Sequence, residues 1–133
     1  MYRNILVPLG YAPGASAKAE VAATKAVAAP GARITLLHVM DPVPRFAAAH
    51  LSDSAQTEMK RTIAQDLERH ADALLGAEVA VIAGDPGRAI LEFARANEVD
   101  CIVMATHRSD TGQYGSTTAR VARHAPCAVH LLR

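Results

Sequence analysis

Short apolar runs recur along this chain, separated by stretches in which apolar residues return every three or four positions. The runs are residues 4–9, 33–40, 78–83, 101–105 and 128–132. Each is too short for an ordinary helix and reads as a strand, and 101–105, apolar at consecutive positions, suits a strand buried on both faces. Pro8 falls at the end of the first run, where a missing ladder donor is tolerated. Between the runs the period changes. Residues 16–29 form an alanine-rich helix with Ala17, Val21, Thr24 and Ala28 on one face, and Pro30-Gly31 stops it. Residues 54–75 carry a core stripe of Met59, Ile63, Leu67, His70 and Leu74, ended by Gly76. Gly84-Asp85-Pro86-Gly87 turns the chain into a helix over 88–97 with Ile90, Phe93, Ala94 and Asn97 on one side. A fourth helix opens at Gly115-Ser116-Thr117, with Ser116 as its cap. Residues 42–54 have no period and read as a connection over the sheet, with Phe46 and His50 placed to cover a pocket.

Strand and helix therefore alternate from end to end, which predicts an α/β fold: one doubly wound parallel five-stranded sheet in the order 3-2-1-4-5. Right-handed crossovers dictate that order. Its direction reverses between strands 1 and 4, and ligands of such sheets sit at the reversal, outside the carboxyl ends of the strands. Here that crevice lies beside Leu9, Gly10 and Thr106. The segment after strand 4 is the polar one, with hydroxyls, His107, Arg108 and Gly112 ahead of the Gly115 helix start. A helix N-terminus with unpaired NH groups suits a phosphate, and Gly115 lets the ligand approach the backbone. Strand 5 is a sheet edge without proline or lysine, and such an edge invites a second copy to pair along it.

Composition narrows the choices. The chain has 133 residues, half of them hydrophobic, which fits one domain over residues 1–133 that needs no covalent staples. Fourteen basic against thirteen acidic residues leave a net charge of +1, so neither nucleic acid nor an anionic membrane is attracted at long range. Cys101 and Cys127 lie in apolar runs and read as buried, structural thiols of a reducing compartment. No leader or spanning segment is visible, and the expected location is cytoplasmic. His38, inside an apolar strand, reads as a satisfied core imidazole. G-x4-G-K-[ST], G-x-G-x-x-G, C-x2-C and H-E-x-x-H are all absent, which argues against a P-loop enzyme, a dinucleotide enzyme and a metal site. Ser116 lacks a nucleophile elbow, and hydrolysis there requires His107 or His124 to be brought to it. Asp41 and Asp110 are the best-placed carboxylates.

The stretches N-I-L-V-P-L-G at 4–10, I-T-L-L-H-V-M-D at 34–41, G-D-P-G-R-A-I-L-E-F-A at 84–94, I-V-M-A-T-H-R at 102–108, G-S-T at 115–117 and V-A-R-H-A-P-C-A-V-H-L-L-R at 121–133 resemble, in order, the universal stress proteins. The resemblance is to a variant with T-H-R in place of the early loop glycines. It implies an adenine-nucleotide-binding, Rossmann-like (HUP-like) fold and a stress-response regulatory protein that is not an enzyme, or hydrolyses ATP weakly at most. The implied ligand is ATP, with or without magnesium. Its adenine would lie near Pro8, Leu9 and Val39, with Gly10, Met104 and Ala105 beside it. Ribose and phosphates would lie on Thr106, His107, Arg108, Gly115, Ser116 and Thr117. Homodimerisation through the final strand is implied as well, with a client protein left open. A ligand-free dimeric interaction module of the same family and a slow ATPase stand as alternatives.

Overall fold

The computed structural model describes residues 1–10, 16–40, 52–74, 76–106 and 115–133. The strands are β1 (Tyr2–Pro8), β2 (Ala28–Met40), β3 (Glu78–Ala83), β4 (Cys101–Ala105) and β5 (Ala128–Leu132). The described helices are α1 (Lys18–Val27), α2 (Asp53–Ala71), α3 (Pro86–Ala96) and α4 (Ser116–His124). All pairings are parallel and the order is β3-β2-β1-β4-β5, as the alternation of periods requires.

Successive residues of β1 and β4 point to opposite faces, and both faces are buried. Ile5, Val7, Leu9, Leu36, Cys101 and Val103 face Ile63 and Leu67 of α2, with Val21 and Val27 of α1 packed against them. On the other face Leu6, Leu37, Ile102 and Met104 meet Ile90 and Ala94 of α3 and Val121 of α4. Two helices on each side make the sheet doubly wound.

The boundaries differ from the sequence expectation where tertiary contacts outbid local propensity. β1 starts at Tyr2 rather than residue 4, because the Asp100 carboxylate accepts the Arg3 and Asn4 NH groups at 2.9 and 3.0 Å and holds the strand's entry to the sheet. Asn4 returns the contact, donating from Nδ2 to the Asn97 carbonyl at 2.7 Å. α1 spans 18–27 and not 16–29, and Pro30-Gly31 does not form a separate stop, since Ala28 is already extended at ψ 134° and belongs to β2. Tyr2 pairs with Ala28 and Asn4 with Arg33, so the intervening β2 residues bulge, with Gly31 at φ +75° taking the left-handed turn. Of the face read for this helix, Thr24 is buried and Val21 half-buried, Ala17 is buried at the N-cap, and Ala28 has passed into β2.

α2 runs over 53–71, capped by Ser52, whose Oγ accepts the Ala55 NH at 3.1 Å. Ile63, Leu67 and Leu74 are buried, but Met59 is 50% exposed and does not join the stripe, because none of residues 53–62 lies over the described core. α3 starts at Pro86, two residues earlier than expected. Asp85 caps it by accepting the Arg88 NH, and Pro86 fills the first helical position, where its missing NH costs nothing. Connection 42–54 lies outside the described residues up to residue 51, and with it the readings made for Phe46, His50 and Asp41.

Both cysteines are free. Cys101 is buried in β4, whereas Cys127 is half-buried and stands in the turn ahead of β5 rather than inside the strand. Burial pushes the Cys101 thiol up from 9 to about 11, and the neighbouring Cys127 and Asp100 charges act in the same direction. Native Cys101 is therefore expected to resist iodoacetamide at pH 8 and to react once the chain is unfolded, which mass spectrometry of the alkylated protein reads directly. The unfolded chain ionises this thiol first, so the contribution to stability is complete below pH 9 and is lost as the pH rises through about 11.

Candidate functional site

β1 and β4 pair at Ile5 with Cys101 and Leu6 with Ile102, and the ladder between them ends there. Each strand continues beside its other neighbour. β1 follows β2 as far as Pro8 with Leu37, and β4 follows β5 as far as Ala105 with Leu132. The sheet thus splits along its middle at the carboxyl end, at the topological reversal.

Side chains and backbone hold the two lips apart. On the β1 lip the Leu9 NH donates to the Leu37 carbonyl at 2.8 Å, and the Leu9 carbonyl lies 2.8 Å from His38 Nδ1. A carbonyl only accepts, so in this contact Nδ1 carries the proton. His38 is the satisfied imidazole expected, but its partner is the lip of the crevice and it is only partly buried. On the β4 lip the Thr106 NH and Oγ1 both donate to the Leu132 carbonyl, at 2.8 and 3.0 Å. Thr106 is 8% exposed, so its hydroxyl proton is committed to β5 while the oxygen keeps acceptor capacity. Sequence patterning carries no signal for either lip bond, since each joins residues brought together only by strand order.

At the carboxyl ends of the strands, Pro8, Val39 and Ala105 are half-buried, Met104 is buried and Gly10 is exposed. Val39 and Met104 belong to the face covered by α3 and α4, and Pro8, two residues after Leu6, shares it. α4 starts on this same side. Gly115 is its N-cap, at φ −59° and ψ 155°, and no described side chain caps the helix. The expected capping by Ser116 is therefore corrected. Gly115 occupies the cap position and Ser116 is the first helical residue, so its hydroxyl is out of place to satisfy the first-turn NH groups. Gly115 and Ser116 are exposed and Thr117 is half-buried. Pro8, Leu9 and Gly10 thus stand at the carboxyl end of β1, Val39 at that of β2, and Met104, Ala105 and Thr106 at that of β4, with Gly115, Ser116 and Thr117 at the start of the helix that follows. His107, Arg108 and Asp110 lie outside the described residues. Among the described residues no group of three metal-ligating side chains occurs, and no helix is long and apolar enough to cross a membrane.

The model of the universal stress protein family matches residues 1–133, the whole chain. The chain belongs to that family. A universal stress protein of Thermus aquaticus, named for its place in the 3′ region of a QAH/OAS sulfhydrylase, is 34% identical over 142 residues, covering 100% of both chains. Among solved structures, UspA of Lactobacillus plantarum is similar at 27% identity and a TM-score of 0.70, over 99% of this chain and 98% of that one. A universal stress protein in complex with cAMP shares the fold at 21% identity and a TM-score of 0.71, over 99% and 97% of the two chains. So does the universal stress protein of Archaeoglobus fulgidus in complex with dAMP, at 17% identity and a TM-score of 0.65, over 99% and 98%.

Proposed function

We propose that this universal stress protein is a nucleotide-binding regulatory module that takes ATP across the split between β1 and β4. The observation that carries the reading is the ladder ending at Leu6 and Ile102, at the carboxyl ends of β1 and β4, together with a helix start that no described side chain caps. The cAMP and dAMP complexes of fold relatives support an adenine nucleotide as the ligand. The residues fit such a group in two ways. Pro8, Val39 and Met104 give the cleft an apolar wall on one face of the sheet, suited to a base. The first-turn NH groups of α4 and its dipole supply donors and positive potential for phosphate. In this reading Thr106 offers its oxygen to the ribose, His107 and Arg108 meet the phosphates, and Gly115 lets them reach the backbone.

Binding acts as a signal rather than a step of catalysis. No P-loop lysine is present in the sequence, and no carboxylate among the described residues lines the cleft to activate water. Calorimetry with millimolar ATP and magnesium is expected to register heat, with turnover below about one per second. Absence of both heat and thermal shift would reject the ligand, and faster turnover would make the protein an ATPase.

The module is further proposed to be a homodimer paired along β5. Leu132 directs its carbonyl inward to Thr106, so by alternation His130 and Ala128 also face β4, and Val129 and Leu131 turn their NH and C=O groups to the open edge. Two such edges laid antiparallel about a two-fold axis satisfy each other and leave no open β5 edge to recruit a third chain. Val129→Pro removes one outward donor while sparing the β4 ladder. Sedimentation at micromolar concentration is expected to give a dimer for the wild type and a shift toward monomer for the variant; a monomeric wild type overturns the pairing.

A further inference from the structure

Away from the crevice, α3 and α4 border a cavity of about 320 Å³ lined by Arg88, Leu91, Glu92, Arg95, Arg120 and His124. The charge of the chain is concentrated there. On α3 two arginines stand against one glutamate, and on α4 Arg120 and Arg123 stand against no acid. With Asp85, which caps α3 and pairs with Arg120, this surface holds a net +2 in a chain of net +1, and the remainder is −1.

The cations form two groups. At one end Arg120 pairs with Asp85 at 2.9 Å and Arg88 with Glu92 at 2.9 Å. Arg120 is pinned by its stem as well, since a Cβ on Gly87 would meet its Cδ at 2.9 Å. At the other end Arg95 reaches only the His124 carbonyl, at 3.3 Å, and has no carboxylate partner among the described residues. From Arg88 to Arg95 the groove is about 10 Å long, at 1.5 Å per helical residue. An extended peptide crosses that length in roughly three residues, and its alternate side chains point the same way, about 7 Å apart.

We infer that this groove docks an extended acidic segment of a partner protein, with carboxylates at alternating positions. One carboxylate pairs with Arg95 beside His124, and the next meets the Arg88 and Arg120 end. Glu92 stands between the two and sets their spacing. A compact oxyanion cannot span both groups, which is why a linear segment fits better. Guanidinium groups suit such a surface, because each offers several donors in a planar fork that matches a carboxylate.

The test is fluorescence anisotropy on the full chain with a short labelled peptide carrying Glu-Leu-Glu at its centre, beside the same peptide with glutamines. The glutamate peptide is expected to bind, with affinity falling as salt is raised. Arg95→Glu, an exposed position, is expected to weaken it at least about fivefold while melting at the wild-type temperature and binding ATP as the wild type does. Equal binding of the glutamine peptide, or equal binding by Arg95→Glu, overturns the inference. So does pyrophosphate binding as tightly as the peptide and being lost in Arg95→Glu, which assigns the groove to small oxyanions.

Discussion

Gly115→Val is expected to raise the Kd for ATP by at least about tenfold while leaving the fold intact. Gly115 is exposed, its φ of −59° and ψ of 155° are open to any residue, and an added Cβ meets nothing within 4 Å. The loss is therefore not a folding defect. It arises because Gly115 immediately precedes the first-turn NH groups of α4, and two γ-methyls there exclude a phosphate from the backbone and carry no acceptor of their own. Gly115→Asp separates the two roles of the position. An aspartate at the N-cap accepts the same NH groups, so folding stability is expected to hold or rise, by about a few tenths of a kcal/mol at most. Nucleotide binding is nonetheless expected to vanish, because the donors are occupied and the new charge repels the phosphate. Calorimetry and thermal melts of the two variants check both halves. Wild-type affinity in Gly115→Asp would place the phosphates elsewhere.

Leu6→Ala is expected to cost about 2–5 kcal/mol of folding stability, the range for truncating a fully buried leucine. Leu6 is 0% exposed, sits on the central strand, and packs with Leu37, Ile102 and Val121, which come from three different elements. No neighbour can collapse onto the vacancy without disturbing the ladders on both sides of β1, which keeps the cost toward the upper end. It is also the last residue of β1 to pair with β4, so loosening it widens the base of the crevice. Thermal melting is expected to drop by roughly 10 °C or more for a chain of this length. Met59→Ala is the matched control. It removes a side chain of similar size that is 50% exposed, and its effect is expected to stay within about 0.5 kcal/mol. Equal losses in the two variants would contradict the placement of the core.

Local sequence by itself determined which stretches become strands and helices, and hence the fold. β3, β4 and β5 occupy the residues their apolar runs mark, because each run is short and bounded by turn or polar residues, Gly84-Asp85-Pro86-Gly87 after β3, Asp100 before β4 and Pro126 before β5. The alternation of elements, with right-handed crossovers, then leads to the order 3-2-1-4-5 and to the place of the crevice. The family was legible as well, since its motifs are spread in order over the whole chain. Tertiary structure decided the rest. Tyr2 and Ala28 join the sheet because Asp100 and the bulge at Gly31 draw them in, although both lie outside the apolar runs. Met59 falls off its stripe because helical period tells which face a residue occupies but not how far along the helix the core extends. Ser116 cedes the cap to Gly115, a difference of one residue that backbone dihedrals settle and composition does not. The lip bonds from His38 to Leu9 and from Thr106 to Leu132, and the gathering of arginines between α3 and α4, join residues far apart in the chain. Such contacts exist only once the strands are ordered, because hydrogen bonds and ion pairs act over a few ångströms of space whatever their separation in sequence.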